Sequence, residues 1–132
     1  MTVYETEITR IRKVHYSNKG QIETVIGARQ FIVNNLDKEV SLDLLAYVRF
    51  TSKFHLLRLF KKYYGQTPKQ YLIEKRVEQA KKLLKQGMAV RDVCFEVGFE
   101  SPCSFSTLFK KRTGCSPAEY RKAQLSQSWY EV

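Results

Sequence analysis

The chain reads as an all-α fold: two small helical units, each a helix-turn-helix, joined by a long linker helix. Three observations lead there. The first is an internal repeat: Ser52, Phe60, Lys61, Lys62, Gly65, Thr67, Pro68 and Tyr71 recur 49 residues later as Ser101, Phe109, Lys110, Lys111, Gly114, Ser116, Pro117 and Tyr120. The second is punctuation. In each copy a Ser stands where a helix N-cap belongs, a Gly follows the Phe-Lys-Lys step as a stop, and Thr-Pro or Ser-Pro opens another helix. The third is periodicity: apolar residues recur at helical spacing, and no part of the core requires a strand.

Residues 1–19 form an N-terminal arm of uncertain order, since Tyr4, Ile8, Ile11 and Val14 fit a helical face while other stretches alternate. The first helix-turn-helix subdomain covers 20–66. After Gly20, Ile22, Val25, Ile26, Arg29, Ile32, Val33 and Leu36 follow the 3.6 period, and Asn34, Asn35 and Asp37 end that helix. Ser41 caps a helix carrying Leu42, Leu45, Ala46 and Val48. After a tight turn, Ser52 caps the next, in which Phe54, Leu56, Leu59 and Phe60 alternate with Lys53, Arg58, Lys61 and Lys62 up to Gly65. The linker helix covers 67–87. Thr67 caps it, Pro68 takes the first position, Gln70 completes a capping box, and Leu72, Val77, Ala80, Leu83 and Leu84 pack. At 1.5 Å per residue it is about 27 Å long, enough to hold two subdomains apart.

The second subdomain covers 88–124. Val90, Val93, Cys94 and Val97 make a short helix, Gly98-Phe99 the turn, and Ser101-Pro102 the start of a helix with Phe105, Leu108 and Phe109. Gly114 stops it, and Ser116-Pro117-Ala118-Glu119 opens a closing helix through Arg121. The tail, 125–132, carries no clear pattern, and Trp129 within it either anchors it or meets a partner. One departure from the repeat stands out. Where the second turn has Gly98, the first reads Val48-Arg49-Phe50-Thr51, which places a bulky residue in a left-handed turn position at a cost of about 1 kcal/mol.

Lys and Arg number 23 against 13 Asp and Glu, a net charge of +10. Between Arg49 and Arg76 stand eight basic residues, Arg49, Lys53, Arg58, Lys61, Lys62, Lys69, Lys75 and Arg76, and one acid, Glu74. Such a field attracts phosphates and speeds encounter with nucleic acid. No run reaches the roughly 18–20 apolar residues of a membrane span, and the charged stretch from Glu5 to Lys13 is no secretory signal, so the expectation is a cytoplasmic, nucleoid-associated protein without membrane contact. Cys94, Cys103 and Cys115 lack C-x-x-C pairing, and the only histidines are His15 and His55. Neither a metal site nor a disulfide framework follows from that spacing, and no cofactor is expected. Cys94 reads as core, Cys103 as an incidental small residue, and His55 as a packing or capping residue rather than a chemical one. No nucleophile–base pair suggests an enzyme.

A short helix, a tight turn and a capped helix can place the last of these in the major groove, its apolar side on the scaffold and its outer side toward base edges. Two such units on one strongly basic chain point to double-stranded DNA. The motifs Leu45-Ala46, Arg58-Leu59-Phe60-Lys61, Gly65-x-Thr67-Pro68-x-x-Tyr71-Leu72, Arg76, Ala80 and Leu83-Leu84 stand in order with Val97-Gly98-Phe99, Ser104-Phe105-Ser106, Leu108-Phe109-Lys110-Lys111 and Gly114-x-Ser116-Pro117-x-x-Tyr120-Arg121. On them, residues from about 21 to 123 resemble the DNA-binding domain of the AraC/XylS family of bacterial transcription regulators. The resemblance implies homeodomain-like helical bundles and a sequence-specific regulator. Its architecture is most like the small single-domain activators, which bind promoter DNA as monomers, without a small-molecule ligand, and work with RNA polymerase.

By the same resemblance the groove-facing positions are Lys53, Phe54, Leu57 and Arg58 in the first recognition helix and Pro102, Cys103, Ser106 and Thr107 in the second. Arg58 is the strongest reader, because a guanidinium bonds guanine O6 and N7 together. Lys61, Lys62, Lys110, Lys111 and Arg112 are expected at phosphates, with the helix starts at Ser52, Thr67, Ser101 and Ser116. The second set is small and poor in charge, so the first unit should dominate specificity and the second position the backbone. That weak second face also leaves open another function class, a protein-interaction module or antagonist of a larger regulator that has lost specific DNA binding.

Overall fold

The computed structural model describes the backbone of residues 3–130 and the side chains of residues 19–127; the expectations for Tyr4, Ile8, Ile11, Val14, His15 and Trp129 lie outside the described side chains. Seven helices and no strand occur among the described residues: α1 Val3–Asn34, α2 Leu42–Val48, α3 Lys53–Tyr64, α4 Pro68–Lys85, α5 Val90–Glu96, α6 Pro102–Thr113 and α7 Pro117–Tyr130. They fall into two compact units. Among the described residues, one holds 3–34 and 41–69, the other 35–40 and 70–130.

In the first unit α3 packs against both α1 and α2. Leu56, Leu59 and Phe60 of α3 are buried, as are Leu45 and Ala46 of α2 and Val25, Ala28 and Ile32 of α1. The stripe that α1 buries is therefore 25, 28 and 32, whereas Ile22, Ile26 and Val33 stay exposed. The helical period admits both stripes, and Ala28, fully enclosed, lets the neighbouring helix approach closely. Nor does Gly20 begin the helix. α1 runs through it unbroken from Val3, and Thr24 Oγ1 donates to the Gly20 carbonyl at 2.9 Å. A mid-helix Gly costs about 1 kcal/mol but interrupts no hydrogen bond.

The second unit is built on Val77, Ala80 and Leu84 of α4, Val93 and Cys94 of α5, Val97, Phe99, and Phe105 and Phe109 of α6. A chain of rings runs through it. Phe99 meets Phe105 at 5.1 Å, Phe105 meets Phe109 at 5.6 Å edge-on, and Phe109 meets Tyr120 of α7 at 5.5 Å. Cys94 lies in this core with Sγ 3.9 Å from the Phe99 carbonyl, and burial pushes its thiol pKa up. α7 continues beyond Arg121 and Leu125 to Tyr130, so most of the residues read as a patternless tail are helical.

Two arginines tie down the chain ahead of the short helices. Arg76 donates from Nε to the Leu36 carbonyl and from Nη2 to the Lys38 carbonyl, each at 2.8 Å, with its guanidinium carbon 5.7 Å from the Phe99 ring centre. Burial lowers its pKa and Asp37 opposes that shift. Arg121 does the same for the link into α5, donating to the Met88 carbonyl at 3.1 Å and the Gly87 carbonyl at 2.9 Å. Both arginines carry the resemblance motifs, but their partners lie 33 to 40 residues away and no local pattern reveals them.

Candidate nucleic-acid interface

Both recognition helices start and stop as their caps dictate. Ser52 Oγ accepts from the His55 amide at 3.1 Å, and Ser101 Oγ from the Ser104 amide at 3.2 Å. Gly65 and Gly114 end α3 and α6 with left-handed φ of 71° and 89°, each donating its amide back to the Lys61 or Lys110 carbonyl. The buried Leu56, Leu59 and Phe60 of α3 and Phe105 and Phe109 of α6 set which side of each helix faces outward.

On α3 the outward residues are Lys53, Phe54, Arg58, Lys61 and Lys62, and Leu57 is half-buried. Phe54 is 68% exposed, so it belongs to the outer face and not to the packing stripe of Leu56, Leu59 and Phe60. Lys53 lies 3.6 Å from Asp43 and 5.5 Å from the Phe54 ring centre. Such an exposed pair contributes under about 1 kcal/mol and yields readily to a phosphate. On α6, Pro102, Cys103, Thr107, Lys110, Lys111 and Arg112 are exposed, and Ser106 is half-buried. The four residues expected to face the groove on each helix thus share one helix side, from which Arg112 is turned away.

The basic field between Arg49 and Arg76 is smaller than its sequence count. Arg49 folds inward, its Nη2 donating to the Glu23 carbonyl at 3.5 Å and its Nε buried without a partner. Its guanidinium lies where a side chain at Gly27 would sit. Arg76 is committed to carbonyls, and Lys75 bonds Glu78 at 3.1 Å, which raises its pKa. Arg58, Lys61, Lys62 and Lys69 remain on the surface. At the start of α7, Ser116 Oγ accepts from the Glu119 amide at 3.1 Å while the Ser116 amide donates to Glu119 Oε2 at 3.4 Å. This capping box stabilises the helix and puts a carboxylate beside the amide expected to meet a phosphate.

The repeat itself shifts register at the turns. Arg49, Phe50 and Thr51 donate to Leu45, Tyr47 and Ala46, as Val97, Gly98 and Phe99 donate to Val93, Phe95 and Cys94. Those pairs stand 48 residues apart, whereas the caps Ser52 and Ser101 stand 49 apart. The first turn is one residue shorter. Phe50 has the left-handed φ of 54° that Gly98 has at 98°, so Phe50 is the bulky residue anticipated from the sequence.

A helix-turn-helix family model matches residues 45–123, which takes in both turns, both recognition helices and most of the capped helices after them. The transcriptional activator AarP of Providencia stuartii is 36% identical over 92 residues, covering 69% of this chain and 68% of AarP. An AraC-type transcriptional regulator of Chromobacterium violaceum superposes with a TM-score of 0.72 at 29% identity, over 80% of this chain and 96% of that one.

The chain belongs to the AraC family.

A further relative by structure is the DNA-binding domain of the global transcriptional factor AdpA, solved in complex with a target DNA: TM-score 0.75, 30% identity, 78% of this chain and 94% of that one. As an AraC-family chain this one carries DNA-binding and transcription-regulation features over most of its length. It spans 58% and 48% of two longer relatives, the second being the bifunctional transcriptional activator/DNA repair enzyme AdaA of Bacillus subtilis. No helix among the described residues is long and apolar enough to cross a membrane.

Proposed function

We propose that the chain is a sequence-specific transcription activator that presents α3 and α6 to successive major-groove segments of one promoter site. The observation that carries this reading is the outer face of α3. A capped, stopped helix holds Arg58 and Phe54 outward on a core of Leu56, Leu59 and Phe60, beside the exposed Lys61 and Lys62. In this reading Lys53, Phe54, Leu57 and Arg58 read bases, and Pro102, Cys103, Ser106 and Thr107 occupy the second groove. Lys61, Lys62, Lys110, Lys111 and Arg112, with the helix starts at Ser52, Thr67, Ser101 and Ser116, hold phosphates.

The functional division follows the two turns: residues 20–66 read, 67–87 link, and 88–124 position. α4, with 18 residues, is about 27 Å long. On this reading the DNA bends somewhat for both helices to reach successive major-groove segments about 34 Å apart. One chain carries both readers, so it binds as a monomer, and activation proceeds through contact with RNA polymerase. AarP's description as an activator favours that direction of control.

In-vitro selection from a random duplex library tests the reading. It predicts enriched sites with two unequal half-sites about one helical turn apart, the stronger containing a G read by Arg58. A pool that never enriches defeats it.

A further inference from the structure

Phe50 is placed where nothing in the fold rewards it. Its φ of 54° is the left-handed region, which costs an L-residue about 1–2 kcal/mol. The residue is 98% exposed, so burial returns nothing. Residues held in such regions cluster at functional sites, where surrounding structure sustains the strain.

Its surroundings are equally uncharacteristic of a plain surface. Tyr47, 81% exposed, borders the same open depression as Phe50, together with Ala46, Val48, Thr51 and Ser52. Ser52 is the N-cap of α3, and the exposed Phe54 follows in the first turn of that helix. Three outward aromatics thus adjoin the end of α3 that begins the candidate interface. The helix that follows is basic on its exposed side: Lys53 in its first turn engages the acid Asp43, and Arg58, Lys61 and Lys62 follow along it. The second unit has no such cluster. Gly98 stands at the position of Phe50, Cys103 at that of Phe54, and Phe95, 48% exposed, at that of Tyr47.

An apolar ring on a basic surface fits a partner that is apolar in spots and anionic around them. Duplex DNA offers this combination at thymine, whose 5-methyl group lines the major groove between phosphates. We propose that Phe50, flanked by Tyr47, is a specificity contact of the first unit that packs on a thymine methyl at the margin of the site read by α3. This rests on the DNA-binding reading above and adds to it a residue on the turn, outside the recognition helix.

The test compares wild type, Phe50→Gly and Phe50→Tyr by fluorescence anisotropy on the selected duplex, with deoxyuridine replacing thymine at one position at a time. Phe50→Gly relieves the left-handed strain, so its thermal midpoint rises while its affinity falls about tenfold, the scale of one lost base contact. The dependence of binding on salt stays as in wild type, since no phosphate contact is removed. At one position wild type loses about fourfold on removal of the methyl, and Phe50→Gly loses nothing there. Phe50→Tyr, which keeps the ring, retains both affinity and methyl sensitivity.

If wild type prefers its selected duplex and Phe50→Gly binds as tightly with the same response to uracil, the inference is overturned. If Phe50→Gly weakens binding with no position losing its methyl sensitivity, thymine readout is overturned. A wild type that prefers no duplex defeats instead the function on which the inference rests.

Discussion

Gly98 and Gly114 share a left-handed φ but not a neighbourhood. A Cβ on Gly98 would meet the Leu36 carbonyl oxygen at 2.5 Å, Arg76 Nη2 at 2.9 Å and Asp37 Cα at 3.0 Å, whereas one on Gly114 would meet nothing within 4 Å. The backbone of residues 36 and 37 cannot give way as a side-chain tip can, because Arg76 holds the Leu36 and Lys38 carbonyls. Gly98→Ala should therefore cost about 2–5 kcal/mol, from conformational strain and overpacking together. Gly114→Ala should cost only about 1 kcal/mol. Urea midpoints of the two variants check this, and equal losses would mean that crowding at Gly98 is unimportant. The same contrast explains why the first turn tolerates Phe50: its side chain stands in open solvent. That a bulky residue sits in the first turn was legible in the sequence. Which residue takes the left-handed position was not, because the one-residue shortening shows only in the turn's hydrogen bonds.

At the scale of elements, local chemistry was readable and partner choice was not. The caps at Ser41, Ser52, Ser101 and Ser116 and the stops at Gly65 and Gly114 each depend on residues within four positions, so sequence alone located them. Replacing Ser101 by Ala removes the acceptor for the Ser104 amide and should cost about 1 kcal/mol, seen as a lower thermal midpoint. Pro102, already at the first helical position, limits the loss by fixing its own φ. α1 illustrates the other case. Its apolar residues form two stripes, and the packing against α3 decides which is covered. Enlarging the enclosed Ala28 to Leu should cost about 1–3 kcal/mol, while trimming the exposed Val33 to Ala should stay within about 0.5 kcal/mol. Chemical denaturation of both variants tests the assignment; the reverse order would put the other face on the core.

For the whole molecule, the family and the DNA-binding fold were legible because a repeat, its caps and its basic face agree at every level. Less legible was how few of the charges are available. Of the eight basic residues from Arg49 to Arg76, Arg49 and Arg76 turn inward, and Lys53 and Lys75 have acidic partners. On the proposed reading, phosphate attraction along this stretch thus falls mainly to Lys61, Lys62 and Lys69, and Arg58 is left to read bases. Lys61→Ala should weaken binding to every duplex alike and lower the salt slope by about 1, whereas Arg58→Ala should cost about 1–3 kcal/mol on the selected site alone. Thr107→Ala, at Arg58's counterpart in α6, should change the ranking of sites little. The most direct measurement is a titration of wild type and Arg58→Ala against the selected duplex and a scrambled one at two salt concentrations. Sequence-specific reading through α3 predicts that wild type prefers the selected duplex by at least about 10³-fold and that Arg58→Ala loses much of that preference. Equal wild-type affinity for both duplexes, or a preference untouched by Arg58→Ala, would contradict it.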